Sequence, residues 1–503
     1  MIYYDVIISK SGLKIPLFSD GRPMHSKYDP EKEAETLISG INRSDYFLVL
    51  GLGGGYHIKS LLKKYPCTSI TVLENSKEDA DFLIESIPCT KEIAEKPNVR
   101  ICYPENLTET ILNSFIPAAY NSFETVQNKP WCLFNAQTTS SLSEKISTAM
   151  QLISADVSTQ SHFGRQWTKN IIQNLKFICN SKKITLPANK TAAVIAAGPT
   201  LDKKIDILKK RRNDFYIIAT DTANKILLRH KISPDAVFSV DGQFVSINHF
   251  LMQQGQSENP SSPLYIFELT ANHNAVKKLY KSGSDIIFTI SGHPLELLAR
   301  EISPEAFFTS DSSSGTVTIA AVDFALKTGF TKIEVYGADF SYFAGKTYAA
   351  GTYLDDIYSI KQKKTSSQQT AFSALMYRTE LIKLSEEKYT TKVLDSYQKA
   401  FEKWVKQNDA ECFIEDSVYK IKADSRKKRN SFELKKFDYE RFLKALKEKA
   451  QNDYSGTTEK LLSDPYVKAL LPLIAWLKMR NPSEKNFAEW VKLAFSHIVR
   501  YTV

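Results

Sequence analysis

Carboxylates, hydroxyls and glycines recur directly after four apolar runs between residues 190 and 340. Gly198-Pro199-Thr200-Leu201 follows the first run, Asp221-Thr222 the second, Asp241-Gly242-Gln243 the third and Gly337-Ala338-Asp339 the last. In an open parallel sheet, ligands bind beyond the carboxyl ends of the strands. We therefore predict that these residues form one site, although any single Asp among them is better explained as a helix cap or turn residue.

Two of the loops have the chemistry of a phosphate cradle. Gly198-Pro199-Thr200 opens a predicted helix, where glycine allows close backbone approach and free N–H groups favour an anion. Ser312-Ser313-Ser314-Gly315-Thr316 also leads into a predicted helix. The hydroxyls of the second loop are explained equally well by helix capping alone.

The elements that would position these residues form a doubly wound α/β domain. Six apolar runs predict strands, and helical patterns such as Asp202 to Arg211 and Thr316 to Lys327 separate several of them. Strands buried on both faces and alternating with helices favour a mainly parallel sheet. The predicted strands are Ala192–Ala197, Phe215–Thr220, Val237–Val240, Tyr265–Leu269, Ile286–Ile290 and Ile333–Tyr336.

The N-terminal part has the pattern of a second α/β unit. A strand at Tyr46–Leu50 precedes the glycine-rich turn Gly51–Gly55, and a further strand ends at Glu74. Glycines followed by an acid about twenty residues later are typical of dinucleotide or S-adenosylmethionine sites. Tyr56 occupies the last glycine position of that pattern, so a retained fold without a ligand is the competing interpretation.

Length and pattern together predict four segments. We expect a Rossmann-like domain over 1–136, connecting helices over 137–189, a central doubly wound α/β domain over 190–364 and an all-helical C-terminal region over 365–503. A chain of 503 residues exceeds a single ordinary core. No strand signal follows residue 365.

Composition excludes several classes of protein. Lys and Arg exceed Asp and Glu by 66 to 56, but no nucleic-acid-binding motif accompanies this excess. The six cysteines form no C-x-x-C pair, which argues against a zinc site or a disulfide framework. Neither a signal peptide nor an apolar run long enough to span a membrane is present. The expected compartment is the cytoplasm.

The order of the central motifs resembles that of the Maf motility-associated glycosyltransferases. The resemblance is carried by Gly198-Pro199-Thr200-Leu201, Asp221-Thr222, Ser239-Val240-Asp241, Gly315-Thr316-Val317 and Tyr336-Gly337-Ala338-Asp339-Phe340. The segment from Phe163 to Asn170 looks like the helix that precedes this domain in the family, and Gly53-Gly54-Gly55-Tyr56-His57 matches the N-terminal domain.

This resemblance implies a central domain similar to bacterial sialyltransferases. Such an enzyme would move a nonulosonic sugar, pseudaminic or legionaminic acid, from a CMP-activated donor to Ser or Thr of flagellin. The residues expected to bind the nucleotide sugar are Gly198, Pro199, Thr200, Leu201, Asp221, Thr222, Gln243, Ser314, Gly315, Thr316, Gly337 and Tyr342.

The catalytic candidates are Asp241, Asp339 and Tyr348. Asp241 is the first candidate for the base that takes the acceptor proton, with a ribose contact as its alternative role. Family members often have His where this chain has Tyr348, and a neutral phenol is a poor base near pH 7 but can donate to a phosphate oxygen. No metal is required, although Mg²⁺ bound by Asp241 or Asp339 stays open.

Two other functions remain open. A related archaeal group with a similar central domain implies a pterin diphosphokinase that uses ATP and Mg²⁺. A non-enzymatic flagellin-binding assembly factor that keeps the fold is the other alternative.

Overall fold

A computed structural model describes residues 1–187, 189–251, 262–312, 315–363, 367–423, 431–483 and 485–502. Its strands are β1 (Tyr3–Ile8), β2 (Lys14–Phe18), β3 (Tyr46–Leu50), β4 (Ser69–Leu73), β5 (Val99–Cys102), β6 (Phe123–Gln127), β7 (Lys182–Thr185), β8 (Thr191–Ile195), β9 (Phe215–Thr220), β10 (Ala236–Ser239), β11 (Leu264–Glu268), β12 (Ile286–Ile290), β13 (Phe308–Thr309), β14 (Lys332–Tyr336), β15 (Tyr342–Phe343), β16 (Ile382–Lys383), β17 (Lys388–Thr390), β18 (Glu411–Glu415), β19 (Val418–Lys422) and β20 (Ser431–Leu434).

The helices are α1 (Pro30–Ser39), α2 (Tyr56–Lys64), α3 (Lys77–Ser86), α4 (Pro88–Ala94), α5 (Leu107–Ser114), α6 (Lys129–Phe134), α7 (Ala136–Leu175), α8 (Ile205–Lys210), α9 (Asp221–Arg229), α10 (His273–Lys281), α11 (Pro294–Ile302), α12 (Val317–Lys327), α13 (Tyr353–Ile360), α14 (Gln368–Met376), α15 (Lys392–Gln407), α16 (Tyr439–Ala450), α17 (Thr458–Leu462), α18 (Pro465–Ala469), α19 (Leu471–Arg480) and α20 (Phe487–Tyr501). Short 3₁₀ helices cover Pro199–Lys203, Phe244–Phe250 and Pro304–Ala306.

The chain divides into two compact units. The first consists of residues 1–165 and 449–497, and the second of residues 166–448 and 498–503. The four segments predicted from the sequence remain a proposal about domain organisation, because these units divide the chain at other positions. Helical periodicity shows that a C-terminal helix has an apolar face, but not which surface covers it.

The first unit contains a four-stranded parallel sheet in the order β5-β4-β3-β6. Every residue of β3 is buried, as expected for a strand covered on both faces. In the same unit α7 packs against the start of α19. A Cβ atom on Gly164 would collide with the Pro472 carbonyl, so glycine is required there.

The second unit is built on a nine-stranded sheet in the order β13-β12-β11-β10-β9-β8-β14-β19-β18. The strands from β13 to β14 are parallel to their neighbours, and β19 and β18 continue the sheet antiparallel. All six predicted central strands are present, as β8 to β12 and β14. The α/β fold class with its mainly parallel sheet is therefore confirmed.

Alternate residues of β8 enter two different cores. Ala192 and Val194 pack with α12 on one face of the sheet. Ala193 and Ile195 pack with α8 and α9 on the other face. The sheet is thus covered on both sides, which explains why its strands read as unbroken apolar runs.

The described residues of the C-terminal part form helices α16 to α20, as expected, but the stretch before them also contains strands. β16 to β20 lie between Ile382 and Leu434, which corrects the expectation that no strand follows residue 365. These strands have two to five residues, and β18 is exposed along its whole length. Strands this short contain too few residues to show a clear apolar alternation in sequence, and β16, β18 and β20 are also edge strands.

Among the described residues, no helix is long and apolar enough to cross a membrane.

Candidate functional site

The ends of β8 and β14 meet at the predicted edge of the central sheet. The Gly198 amide donates to the Gly337 carbonyl at 2.8 Å. A Cβ atom on Gly198 would collide with that carbonyl, and Gly337 has a φ of +66°. Only glycine at both positions lets the two chain segments approach this closely.

Asp339 fixes the turn that follows β8. Its Oδ2 accepts a hydrogen bond from the Thr200 amide at 2.8 Å, and its Oδ1 accepts one from Thr200 Oγ1 at 2.5 Å. Burial raises the pKa of Asp339, while the two bonds from Thr200 and the charge of Lys388 oppose that rise. With both oxygens engaged, Asp339 is suited to holding the Pro199–Lys203 turn rather than to accepting a proton.

Asp221 joins the ends of β9 and β10. Its carboxylate accepts bonds from Ser239 Oγ at 2.6 Å and from the Thr222 amide at 2.7 Å, and Thr222 Oγ1 adds a third at 3.1 Å. The residue is 4% exposed. Asp221 is therefore a buried structural residue that links the two strand ends, and its carboxylate oxygens are already engaged in hydrogen bonds.

Asp241 differs from the other two carboxylates. Its Oδ1 accepts from the Gln243 amide at 2.9 Å, whereas no described residue donates to Oδ2. Burial raises the pKa of Asp241, the charge of Asp221 adds to the rise, and the Gln243 amide and His249 oppose it. A half-buried carboxylate with one open oxygen and a raised pKa has the properties of a general base.

One face of α7 holds the loops that carry Asp241. Gln166, Asn170 and Asn174, which we call the carboxamide ladder, are spaced four residues apart and therefore lie on one face of the helix. Their side-chain amides donate to backbone carbonyls just beyond β10 and β11. The bonds run from Gln166 to Gly242, from Asn170 to Gly242 (3.1 Å) and Thr270 (2.9 Å), and from Asn174 to Leu269 (2.9 Å) and Ala271 (2.9 Å).

Asn272 completes this support from the β11 side. Its backbone amide donates to the Asp241 carbonyl at 3.0 Å, and its side chain donates to the carbonyls of Gln243 at 2.7 Å and Phe244 at 3.0 Å. A Cβ atom on Gly242 would lie 2.8 Å from the Thr270 carbonyl oxygen and 3.1 Å from Trp167 Cδ1. The loop after Asp241 is therefore fixed by bonds and by tight packing.

These supporting amides were not identified as site residues from the sequence. The i, i+4, i+8 spacing of the ladder was visible, but a polar stripe on a helix is usually a solvated face. Its function depends on carbonyl groups 72 to 100 residues away in the chain.

Tyr348 lies near Tyr342 and Asp221. The loop of Tyr348 is tied to β8 because the Ala349 amide donates to the Ala197 carbonyl at 2.9 Å. Burial raises the pKa of Tyr348 to about 12, with contributions from Tyr342, Tyr353 and Asp221. Tyr348 is therefore a neutral phenol at pH 7 that can donate a hydrogen bond. Burial also raises the pKa of Tyr342.

The second hydroxyl loop lies only partly within the described residues. Ser314 falls outside them, whereas Gly315 has a φ of +74° and Thr316 Oγ1 caps α12 by accepting from the Thr318 amide at 3.4 Å. Ser312 Oγ donates to the buried Glu268 at 2.6 Å, as does Ser291 Oγ. Glu268 is a further residue that the sequence did not single out, and it anchors this loop to β11.

No described residues form a group of three or more His, Cys, Asp and Glu side chains that could hold a metal ion. The question of Mg²⁺ at Asp241 or Asp339 therefore remains a prediction.

The glycine-rich turn of the first unit is filled by protein side chains. The Leu52 amide and Trp131 Nε1 donate to the two carboxylate oxygens of Glu74 at 2.9 and 2.7 Å, and the Gly54 amide donates to His25 Nε2 at 2.9 Å. A Cβ atom on Gly51 would lie 2.6 Å from the Trp131 ring. The acid and amides that would bind a nucleotide are thus engaged internally, which favours a structural role for the turn.

Comparison with known proteins fits this architecture. Residues 167–345 match the family described as 6-hydroxymethylpterin diphosphokinase MptE-like. The chain superimposes on the Maf glycosyltransferase from Magnetospirillum magneticum AMB-1 with a TM-score of 0.56 and 13% identity, covering 99% of this chain and 86% of that one. At this identity the match establishes the fold.

Two uncharacterized proteins of Treponema pallidum (strain Nichols) are related in sequence. One is 28% identical over 246 residues, which are 48% of this chain and 78% of the relative. The other is 30% identical over 141 residues, which are 28% of this chain and 67% of the relative.

The chain belongs to one family with the second of these treponemal proteins. The resemblance seen in the sequence motifs is confirmed, because the central segment matches the MptE-like family and the fold is that of a Maf glycosyltransferase.

Replacing Asn170 by Leu tests the carboxamide ladder. Leucine has a similar volume but leaves the Thr270 carbonyl without its donor, whereas the Gly242 carbonyl keeps the bond from Gln166. A buried group left unpaired costs about 1–3 kcal/mol. We expect the free energy of unfolding, measured with urea, to fall accordingly. Asn180→Leu, at an exposed position after α7, is the control. Equal stability of the two variants would contradict a supporting role for the ladder.

Glu74 predicts a pH dependence of the first unit. Burial raises its pKa from 4.5 to about 7, and the nearby Asp79 adds to the rise, against hydrogen bonds from Asn75, Trp131 and Leu52. A carboxyl group with a raised folded-state pKa binds its proton more tightly in the folded state. Stability is therefore lost as pH rises from about 4.5 to about 7, by up to about 3 kcal/mol.

Glu74→Gln should remove this slope in urea unfolding between pH 4.5 and 7. Glu85→Gln, at an exposed position on α3, should keep the wild-type slope. A slope that persists unchanged in Glu74→Gln would assign it to other groups.

Proposed function

We propose that this protein is a glycosyltransferase that moves a nonulosonic sugar from a CMP-activated donor to Ser or Thr of flagellin. The observation that carries the proposal is the open, supported carboxylate of Asp241 at the strand ends of a chain with the fold of a Maf glycosyltransferase. Free cysteines at exposed positions such as Cys67, Cys179 and Cys412 suit a reducing compartment, so we place the reaction in the cytoplasm.

The reaction requires one proton acceptor and a stabilised leaving group. In the proposed mechanism Asp241 Oδ2 takes the proton of the acceptor hydroxyl. At the same time the oxygen of that hydroxyl forms a bond to the anomeric carbon. The bond from the anomeric carbon to the donor phosphate breaks, and its electron pair leaves with CMP. Charge that develops on the phosphate is best stabilised by donors fixed in advance.

The donors proposed for the phosphate are the Thr316 hydroxyl at the start of α12, with Gly315 allowing close approach, and the phenol of Tyr348. Gly198, Pro199, Thr200 and Leu201 are proposed to line the nucleotide-sugar site by their shape and not as donors. Pro199 has no N–H, and the amides of Thr200 and Leu201 already donate to Asp339 and Gly198. Thr222 and Gln243 are proposed to contact the nucleoside. Asp221 is proposed to hold the strand ends beneath the nucleoside, and Asp339 and Gly337 to hold the turn in place.

The family match supports a second candidate. Residues 167–345 match the pterin diphosphokinase MptE-like family, and such an enzyme would transfer a diphosphate from ATP with Mg²⁺. Calorimetric titration with CMP, with ATP and Mg²⁺, and with 6-hydroxymethylpterin separates the two functions. Binding of the pterin and ATP without CMP would reject the glycosyltransferase proposal.

The acceptor is tested by the intact mass of flagellin from cells with and without this gene. We expect the mass to fall by whole nonulosonic sugar units when the gene is deleted. An unchanged flagellin mass would exclude flagellin as the acceptor.

Asp241→Asn should abolish most turnover and leave the fold intact. Asparagine keeps the shape and can still accept from the Gln243 amide, but it loses basicity, which typically costs about 10²–10⁴ in rate. Transfer rate and CMP affinity are measured together. A large fall in rate with unchanged affinity supports a base, whereas weaker CMP binding would indicate a ribose contact.

Asp206→Asn, at an exposed position on α8, is the matched control and should retain wild-type turnover. Full activity of Asp241→Asn would remove Asp241 from the site.

A further inference from the structure

A cavity of about 230 Å³ lies between the loop that follows β15 and helix α14. We call it the hairpin pocket, because α13 and α14 form one of its sides. Its lining includes Thr347, Tyr348, Asp355, Gln369, Phe372 and Ser373. None of these residues except Tyr348 was assigned to the site above.

The hairpin pocket is fixed to the turn after β8. Asp202, within that turn, accepts bonds from Lys346 Nζ at 2.9 Å and from the Ala350 amide at 2.9 Å. The Ala349 amide donates to the Ala197 carbonyl at 2.9 Å. Tyr348 lines the pocket, so a ligand whose phosphate accepts from the Tyr348 phenol would have its next group at the mouth of this pocket.

The far side of the pocket is held to α9, the helix that begins with Asp221. Asp356 of α13 pairs with Lys225 Nζ at 2.5 Å and also with Arg229. Asp355 joins the start of α13 to α14, because it accepts from the Gly351 amide at 2.7 Å and from Gln368 Nε2 at 3.0 Å. The pocket is thus braced on both sides.

The lining has the chemistry that recognises a pyranose. Phe372 and the 38%-exposed Tyr348 offer aromatic faces for the C–H surface of a ring, and Gln369 and Ser373 offer polar groups for hydroxyls. Thr347 is 5% exposed, and its Oγ1 is buried without a hydrogen-bond partner among the described residues. An orphan buried hydroxyl is costly unless a ligand satisfies it.

The volume of the pocket limits the size of the ligand that it can enclose. Pockets that enclose a whole drug-sized molecule measure about 300–1,000 Å³. A cavity of about 230 Å³ therefore suits one substituted ring and not a complete nucleotide sugar.

We infer that the hairpin pocket binds the sugar ring of the nucleotide-activated donor, with Phe372 against the ring and Thr347 Oγ1 bonded to one of its polar substituents. This inference rests on the proposed function and names the donor subsite that selects the sugar. The nucleotide itself lies outside the pocket, along the strand ends.

Two variants test the inference by comparing the affinity for CMP with that for CMP-pseudaminic acid and CMP-legionaminic acid. In Phe372→Ala the affinity for the CMP-sugar that wild type binds should fall at least about ten-fold, as expected for a lost pocket contact, while the affinity for CMP is unchanged. Tyr377→Ala, an aromatic residue just after α14 that is 68% exposed, is the matched control and should match wild type.

Thr347→Val separates binding from folding. Valine is close in shape and removes the unpartnered hydroxyl, so the melting temperature should stay the same or rise. Binding of the CMP-sugar should nevertheless weaken while CMP binding does not. If Thr347 had only a structural role, Thr347→Val would not weaken CMP-sugar binding while the melting temperature stays the same or rises.

The outcomes distinguish this inference from the proposed function. CMP-sugar binding at wild-type strength in both variants would overturn the inference, as would an equal loss of CMP affinity, which would place the nucleotide in the pocket. A wild-type protein that binds neither CMP nor the CMP-sugars would refute the proposed function, and the inference with it.

Discussion

Backbone carbonyls just past the ends of β10 and β11 have no strand partner, and they must find donors elsewhere because the region is buried. The carboxamide ladder on α7 supplies those donors, and Asn272 supplies more from within the sheet edge. The loop that carries Asp241 can depart from regular structure only because these amides donate hydrogen bonds to its backbone carbonyls. The geometry of the site therefore depends on one face of a helix that carries none of the proposed chemistry.

The same sheet edge gives three aspartates three different roles. Asp221 and Asp339 have both oxygens engaged by neighbouring hydroxyls and amides, so their main effect is to lock strand ends and the turn after β8. Asp241 keeps one oxygen open and has its pKa raised by burial and by the charge of Asp221. Asp241 is the candidate base here because its neighbours leave one carboxylate oxygen without a hydrogen bond.

The two α/β units contrast in how they use a glycine-rich turn. After β8, glycine allows the close crossing of two chain segments, and the turn stays at the edge where the ligand is proposed to bind. After β3, Trp131, Met24 and His25 occupy the space over the glycines, and Glu74 bonds to Trp131. Similar local sequences thus serve a proposed binding site in one unit and a packed core in the other.

The sequence by itself determined the central sheet, because strands buried on both faces must be apolar throughout, and it placed Asp221, Asp241 and Asp339 at the ends of those strands. It also identified the helix that ends at Lys327. Only the tertiary structure decided which of these carboxylates is open, since the partner of Asp339 lies 139 residues away in the chain. It also decided that Glu74 accepts a hydrogen bond from Trp131, 57 residues away. It likewise decided that β19 extends the central sheet and that residues 449–497 pack with the N-terminal unit. Hydrophobic periodicity shows that a segment has a face to bury. The surface that covers this face, and the hydrogen-bond partners of its polar groups, are set only when distant parts of the chain come together.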